Sequence, residues 1–330
     1  MLWLTFALCA AAILFAGSRL SRYGDEIARL TGFGGTWIGM VLLATVTSLP
    51  ELVTGISAVT AAKAPEVAVG NVLGACVFNL AVIALLDVLH RPASVYSVVG
   101  RGHILGTAFG ALMLALAGAA VVVGRSFDMA LLHLSLITPL LLALYLFAIS
   151  TIFRFERAQQ PPEEAASRGD RDALRRAVVG YAIAAAIVVA AAIALPFLAV
   201  RVAETMGWTQ GFVGTSLIAL TTTLPEMTVT ITAWRLRAID MAIGNLVGSN
   251  LFNLAILAID DLAYLPGPLL SQVSTAHAFS AFAAIGMSAA LVVALMAPPR
   301  ARLLNVASWT SLLLILLFFA NAWIHLRHPA

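Results

Sequence analysis

Two pentapeptides, Thr47-Ser48-Leu49-Pro50-Glu51 and Thr222-Thr223-Leu224-Pro225-Glu226, each sit in the middle of a long apolar stretch. A carboxylate at the centre of a membrane-spanning helix costs about 2.5–3.5 kcal/mol on insertion scales. Proline removes one helical hydrogen bond and clashes with the carbonyl four residues back, which here belongs to Val46 or Thr221. Thr47 and Ser48 precede Glu51 by four and three residues, so all three share one helix face; Thr222, Thr223 and Glu226 repeat the arrangement. A buried acid, two hydroxyls and freed backbone oxygens make a set of hard-cation ligands.

The echo runs further. Gly70-Asn71-Val72-Leu73-Gly74-Ala75-Cys76-Val77-Phe78-Asn79 aligns with Gly244-Asn245-Leu246-Val247-Gly248-Ser249-Asn250-Leu251-Phe252-Asn253. Glu51 and Glu226 are 175 residues apart, Asn79 and Asn253 174, so one residue is lost between the motifs. Gly39 also matches Gly214, and Ile56 matches Ile231. This is a duplication, and transporters with internal repeats hold their substrate at the repeat interface. Asn79 and Asn253 are polar amides in apolar helices, able either to bridge helices or to offer an oxygen to an ion. Ser249, four residues before Asn253, adds a hydroxyl on that face. Gly70, Gly74, Gly244 and Gly248 read as packing surfaces.

The paired Leu-Pro-Glu and Gly-Asn-x-x-Gly-x-x-x-Phe-Asn motifs resemble the α-repeats of the calcium/cation antiporter superfamily, the sodium/calcium exchanger group, over about residues 39–87 and 214–261. The resemblance implies Ca²⁺ exchanged against Na⁺ by alternating access. It implies Glu51 and Glu226 as the charged ligands, with Asn79, Asn253, Thr47, Ser48, Thr222, Thr223 and Ser249 as neutral ones. It maps the backbone carbonyl ligands to Ala44 and Ala219, and it has the first and sixth spans move against the rest. The sequence departs from the pattern at Ala75, where a hydroxyl is usual, at Cys76 opposite Asn250, and at Asn253, which is Asp in some members. The fixed charge is then −2, enough for one Ca²⁺ or two Na⁺.

The chain around these motifs is 61% hydrophobic and 11% charged, with mean hydropathy +0.98; ordinary soluble domains carry about 25% charged residues. The expected fold is an all-α integral membrane protein of ten transmembrane helices in two inverted five-helix repeats. The spans are read as 2–18, 36–61, 66–88, 102–124, 128–153, 177–200, 211–234, 240–262, 276–297 and 303–325. With the N-terminus outside, the inside loops hold 15 of the 19 Lys and Arg residues, the bias that orients membrane proteins. The pI near 9.2 is accounted for by those loops rather than by nucleic acid. Five spans per half is odd, so the second half enters upside down. Residues 1–154 form the first repeat, 155–176 a cytoplasmic linker with Pro161-Pro162, and 177–330 the second repeat. The first span lacks a basic n-region and reads as a retained helix, followed by a loop from Arg19 to Thr31.

The remaining polar residues read as scaffold. Cys9 and Cys76 lie in spans and read as small apolar residues. The six histidines form no metal motif. Glu66 and Asp240 read as helix caps, Asp87, Asp260 and Asp261 as headgroup-level acids, Asp25, Glu26, Glu156, Glu163, Glu164, Asp170 and Asp172 as loop residues, and Asp128 and Glu204 as lying near span ends.

The expectation is a multi-pass secondary antiporter with both termini outside, its short loops pointing to a prokaryotic inner membrane. It needs no cofactor and no protein partner, only Ca²⁺, Na⁺ and the bilayer. The alternative on the same fold is a Ca²⁺/H⁺ antiporter, left open by Ala75 and Asn253. An intramembrane hydrolase is disfavoured by the misplaced histidines, and a passive channel by the broken repeats.

Overall fold

A computed structural model describes residues 2–91, 93–124, 130–131, 133–159, 171–206, 219–303 and 306–327. The helices are α1 (Leu2–Thr31), α2 (Gly35–Thr47), α3 (Leu49–Thr60), α4 (Pro65–Leu89), α5 (Gly102–Val123), α6 (Ile137–Gln159), α7 (Arg171–Met206), α8 (Ala219–Thr222), α9 (Leu224–Arg235), α10 (Ile239–Ala263), α11 (Ala276–Met296) and α12 (Trp309–Arg327). Among the described residues, seven helices are long and apolar enough to cross a membrane: α1, α4, α5, α6, α7, α10 and α11. The pair α2–α3, bent by 40°, makes an eighth, and Trp309–His325 is an apolar but shorter helix. Of the span expected over 211–234, residues 211–218 lie outside the described residues; α8 and α9 cover the rest.

The boundaries depart from expectation where polar segments continue a helix. Arg19–Thr31, expected as a loop, is the second half of α1, so Asp25 and Glu26 are helical. One face of it packs inward: Leu20, Ser21, Gly24 and Ile27 are buried. The expected linker is helical at both ends, through Gln159 and from Arg171, which puts Glu156 on α6 and Asp172 on α7. Residues 160–170, with Glu163, Glu164 and Asp170, lie outside the described residues, as do Asp128 and His328. The fifth and tenth spans start later than expected. Each is preceded by a two-residue antiparallel hairpin, Ala130–Leu131 with Leu134–Ser135 and Arg302–Leu303 with Ala307–Ser308.

The two helices that carry the Gly-Asn motifs form the centre. The apolar window of α4 is 72% buried and that of α10 89%, against 28% for α1, α6 and α7. α1 packs along α7 at the periphery, where Gly180 lets the Tyr23 ring lie on the α7 backbone. Leu146, Phe147, Leu316 and Phe319 are more than half exposed, a large apolar surface that suits a bilayer.

α2 meets α10 backbone to backbone. A Cβ at Gly39 would lie 2.4 Å from the Met241 carbonyl oxygen, and one at Gly248 would lie 2.2 Å from the Met40 carbonyl oxygen. Glycine is therefore required at this crossing, as the packing reading of Gly248 expects. Gly35 lies against Met241 at the start of α10 and Gly55 against Asp260 near its end, so α2–α3 runs parallel to α10. The short turn at Ala61–Ala64 then sends α4 the opposite way.

Three acids expected at headgroup level are in fact buried. For two of them, partners from other elements replace water. The Asp87 carboxylate accepts from Ser94 Oγ (2.9 Å), Val95 N (3.0 Å), Ser308 N (3.0 Å) and Ser311 Oγ (2.7 Å), and it pairs with Arg302. Asp261, its equivalent in the duplication, accepts from Leu269 N (2.6 Å), Ser135 N (2.9 Å) and Thr138 Oγ1. Each acid thus pins the hairpin ahead of the last helix of the other half. Asp260 is the third and has no such partners.

Glu66 and Asp240 lie in the first turn of α4 and α10, as expected of acids at a helix N-terminus, and each also reaches the opposite half. Glu66 accepts from Ser274 N (2.8 Å) and contacts His277 Nε2 (2.7 Å). Asp240 accepts from Gly100 N (2.6 Å) and contacts His103 Nε2 (2.9 Å). Each acid thus latches the start of a helix in the opposite half.

Candidate ion-binding site

Both broken helices break at the same motif position. Ser48 has φ −92° and ψ 5°, and Thr223 has φ −84° and ψ 0°. Proline at the second position of α3 and α9 suits a helix start, where its missing N–H is not needed. Glu51 and Glu226 fall in that first turn, where the helix dipole favours a negative charge. On the α2 side the helix widens to a π-helix over Ile38–Leu43 just before Ala44. Such bulges recur at functional sites.

Thr47, Ser48, Thr222, Thr223 and Ser249 are completely buried, as is Glu51, while Asn79, Asn253 and Glu226 are 1% exposed. The duplicated residues bond across the halves in matched pairs. Ser48 Oγ donates to Glu226 Oε1 at 3.1 Å, and Thr47 and Thr222 lie near the carboxylates of Glu226 and Glu51. The two carboxylates are close enough for their charges to repel. Thr47 Oγ1 is also 3.4 Å from the Ala44 carbonyl oxygen, which accepts from Ser48 N at 3.0 Å. Ala219 opens α8 one turn before Thr223, as Ala44 stands one turn before Ser48.

Two residues to which the motifs assign no role tie this arrangement together. Asn71 Nδ2 donates to the Glu51 carbonyl (3.5 Å) while its Oδ1 accepts from Thr222 Oγ1 (3.4 Å). Asn245 Nδ2 donates to the Glu226 carbonyl (3.4 Å) while its Oδ1 accepts from Thr47 Oγ1 (3.3 Å). Each asparagine therefore holds the acid of its own half and a hydroxyl of the other. Their signal in the sequence is the Asn of each Gly-Asn pair. Asn250, in the sequence simply the counterpart of Cys76, bridges α4 and α10: its Oδ1 accepts from Asn79 Nδ2 (3.1 Å) and its Nδ2 donates to the Cys76 carbonyl (3.3 Å). That contact leaves Asn79 with only its oxygen to offer.

The oxygens that remain define what the site can do. Both oxygens of Glu51, Oε2 of Glu226, Oδ1 of Asn79, Oδ1 of Asn253 and Oγ of Ser249 are buried without a hydrogen-bond partner among the described residues. Buried polar atoms are ordinarily satisfied. Two negative charges in a dry interior, unpaired with Lys, Arg or His among the described residues, call for a positive charge from outside the chain. All of these atoms are oxygens, which suits Ca²⁺ or Na⁺ and not a soft metal. Every side-chain ligand expected from the motifs is thus buried, most with an oxygen unspent or aimed at the opposite acid. Ala75, lacking the Ser249 hydroxyl, is equally buried, so the two halves differ by one oxygen.

The profile of the family described as sodium/calcium exchanger protein matches residues 1–156 and 176–327. Inner membrane protein YrbG of Escherichia coli (strain K12) is 28% identical over 271 residues, covering 76% of this chain and 79% of its own. The putative antiporter CaxA of Alkalimonas amylolytica is 26% identical over 258 residues, covering 75% and 76%. Solved structures of the sodium-calcium exchanger NCX_Mj share the fold, with a TM-score of 0.75, 20% identity and full coverage of both chains in the form soaked with 10 mM Na⁺ and no Ca²⁺. The profile spans both halves and skips the stretch between them: the chain belongs to the sodium/calcium exchanger protein family, whose members are multi-pass membrane antiporters.

Proposed function

We propose that this antiporter exchanges Ca²⁺ for Na⁺ by alternating access at the site between α3, α4, α9 and α10. The observation that carries the reading is the pair of facing buried carboxylates, Glu51 and Glu226, with three of their four oxygens unspent. Glu51 and Glu226 supply charge; Asn79, Asn253, Thr47, Ser48, Thr222, Thr223 and Ser249 supply neutral oxygens, completed by the carbonyls of Ala44 and Ala219. Ca²⁺ and Na⁺ are close in size and can share these oxygens, so the ions compete and charge decides the exchange. Mg²⁺ dehydrates reluctantly and is excluded.

In this reading the chain makes ten spans in two inverted repeats, 1–154 and 177–330, with both termini outside. The peripheral pair α1–α7 slides over the central helices to expose the site to one face and then the other. The deciding experiment is Ca²⁺ uptake into proteoliposomes driven by an outward Na⁺ or an outward H⁺ gradient, with E226Q as the inactive control. Uptake with Na⁺ alone supports the reading. Uptake with H⁺ alone replaces it with Ca²⁺/H⁺ exchange. No coupled uptake by folded protein rejects both.

A further inference from the structure

Asp260 is completely buried, and neither carboxylate oxygen has a hydrogen-bond partner among the described residues. It lies against Gly55, where an added Cβ would sit 2.2 Å from Oδ2; only glycine leaves room for this carboxylate. Gly55 follows Glu51 by four residues on α3, and Asp260 follows Asn253 by seven on α10, so both continue the stripes that carry the central ligands. Because α3 and α10 run parallel, Asp260 stands beyond the site, toward the end where both helices finish.

The duplication shows that this acid is an addition. Its counterpart is Leu86, and the counterpart of Gly55 is Thr230, whose hydroxyl accepts from Asn245 Nδ2 at 3.0 Å. One half uses the position to brace an asparagine; the other clears it to admit a carboxylate. Among the described residues no Lys, Arg or His pairs with Asp260. Asp261 is held by Ser135, Thr138 and Leu269, and Glu66 and His277 at this end of the helices are bonded to each other.

We propose that Asp260 is a third ion-carrying carboxylate of the transport path, taking a monovalent cation, H⁺ or Na⁺, beside the central pair. This raises the fixed negative charge from two to three, and with it the number of counter-ions each Ca²⁺ displaces. The proposal rests on the exchange reading for its transport consequence but not for its binding consequence. The test therefore measures both on the full-length protein. Monovalent cations displaced by saturating Ca²⁺ are counted per chain, ²²Na⁺ by equilibrium dialysis and H⁺ by potentiometric proton release, for wild type, D260N and G55A, whose Cβ intrudes on the same carboxylate. Counter-ions per Ca²⁺ are then read from the reversal potential in proteoliposomes.

The expected result is one fewer displaced monovalent cation in D260N and a count of three in wild type, with the missing ion appearing in the Na⁺ arm or the H⁺ arm. Coupling then falls by one counter-ion per Ca²⁺. Equal counts in wild type and D260N overturn the proposal. If D260N does not fold, a wild-type count of two overturns it, and a count of three that drops in G55A supports it. A count of three in a wild type that moves no Ca²⁺ against either gradient rejects the exchange reading and leaves the Asp260 site standing.

Discussion

At the scale of single residues, ligands and their supports separate cleanly. Removing one of two facing buried carboxylates strips half the charge from the central pair; removing one partner of a buried carboxylate–cation contact costs about 3–5 kcal/mol, over a hundredfold in affinity. E51Q and E226Q should each lose Ca²⁺ binding by at least that factor in calorimetric titration while eluting as folded protein. A loss below about tenfold would show that the cation sits elsewhere. Asn71 and Asn245 carry no charge and act by aiming the acids and hydroxyls. Outer groups of this sort contribute about 10–100-fold to metal affinity. N71A and N245A should each weaken Ca²⁺ binding within that range, since each holds the backbone of one acid and a hydroxyl of the other half. The ligands are legible in the sequence because a carboxylate or amide deep in an apolar run is costly unless something polar meets it there. The supports are not, since an asparagine that orients and one that ligates look alike until their partners are known.

At the scale of elements, the crossing of α2 over α10 sets the distance between the halves. The backbones touch at Gly39, Gly244 and Gly248, with no space for a side chain. G248A puts a methyl group into the Met40 backbone, and overpacking of this kind costs about 1–3 kcal/mol. The expected outcome is a lower melting temperature in detergent together with slower exchange. An unchanged melting temperature would mean that α2 yields easily and is not a fixed reference for the site. The element boundaries show where hydropathy stops being informative. It ends the first span at residue 18, yet the helix runs to Thr31 because its polar half packs Leu20, Gly24 and Ile27 inward. Asp87 and Asp261 are expected among the headgroups because a charge near a span end finds water there by default. Some of the groups that replace the water follow in the next loop, Ser94, Val95 and Leu269, but the rest come from segments more than one hundred residues away, and local composition carries no trace of those.

At the scale of the whole molecule, the duplication places equivalent latches at opposite ends. Glu66 with His277 and Ser274 closes the end where α3 and α10 finish; Asp240 with His103 and Gly100 closes the end where they begin. Alternating access requires each end to open in turn, and these contacts tie the start of α4 to α11 and the start of α10 to α5. An amide keeps the size of each side chain but weakens its bonds to the imidazole and the backbone N–H, since charge-assisted hydrogen bonds are about twice as strong as neutral ones. E66Q and D240N should therefore each shift the apparent Ca²⁺ affinity by about threefold or more from one membrane face only, and from opposite faces. In the proposed orientation, with both termini outside, the Glu66 face is the outer one. Vesicles of the two orientations, assayed for Ca²⁺ flux with and without the substitutions, resolve the faces. A shift from the same side for both variants would contradict the antiparallel placement of α4 and α10. A shift from both sides for either would mean that the latch holds the core together rather than one of its entrances.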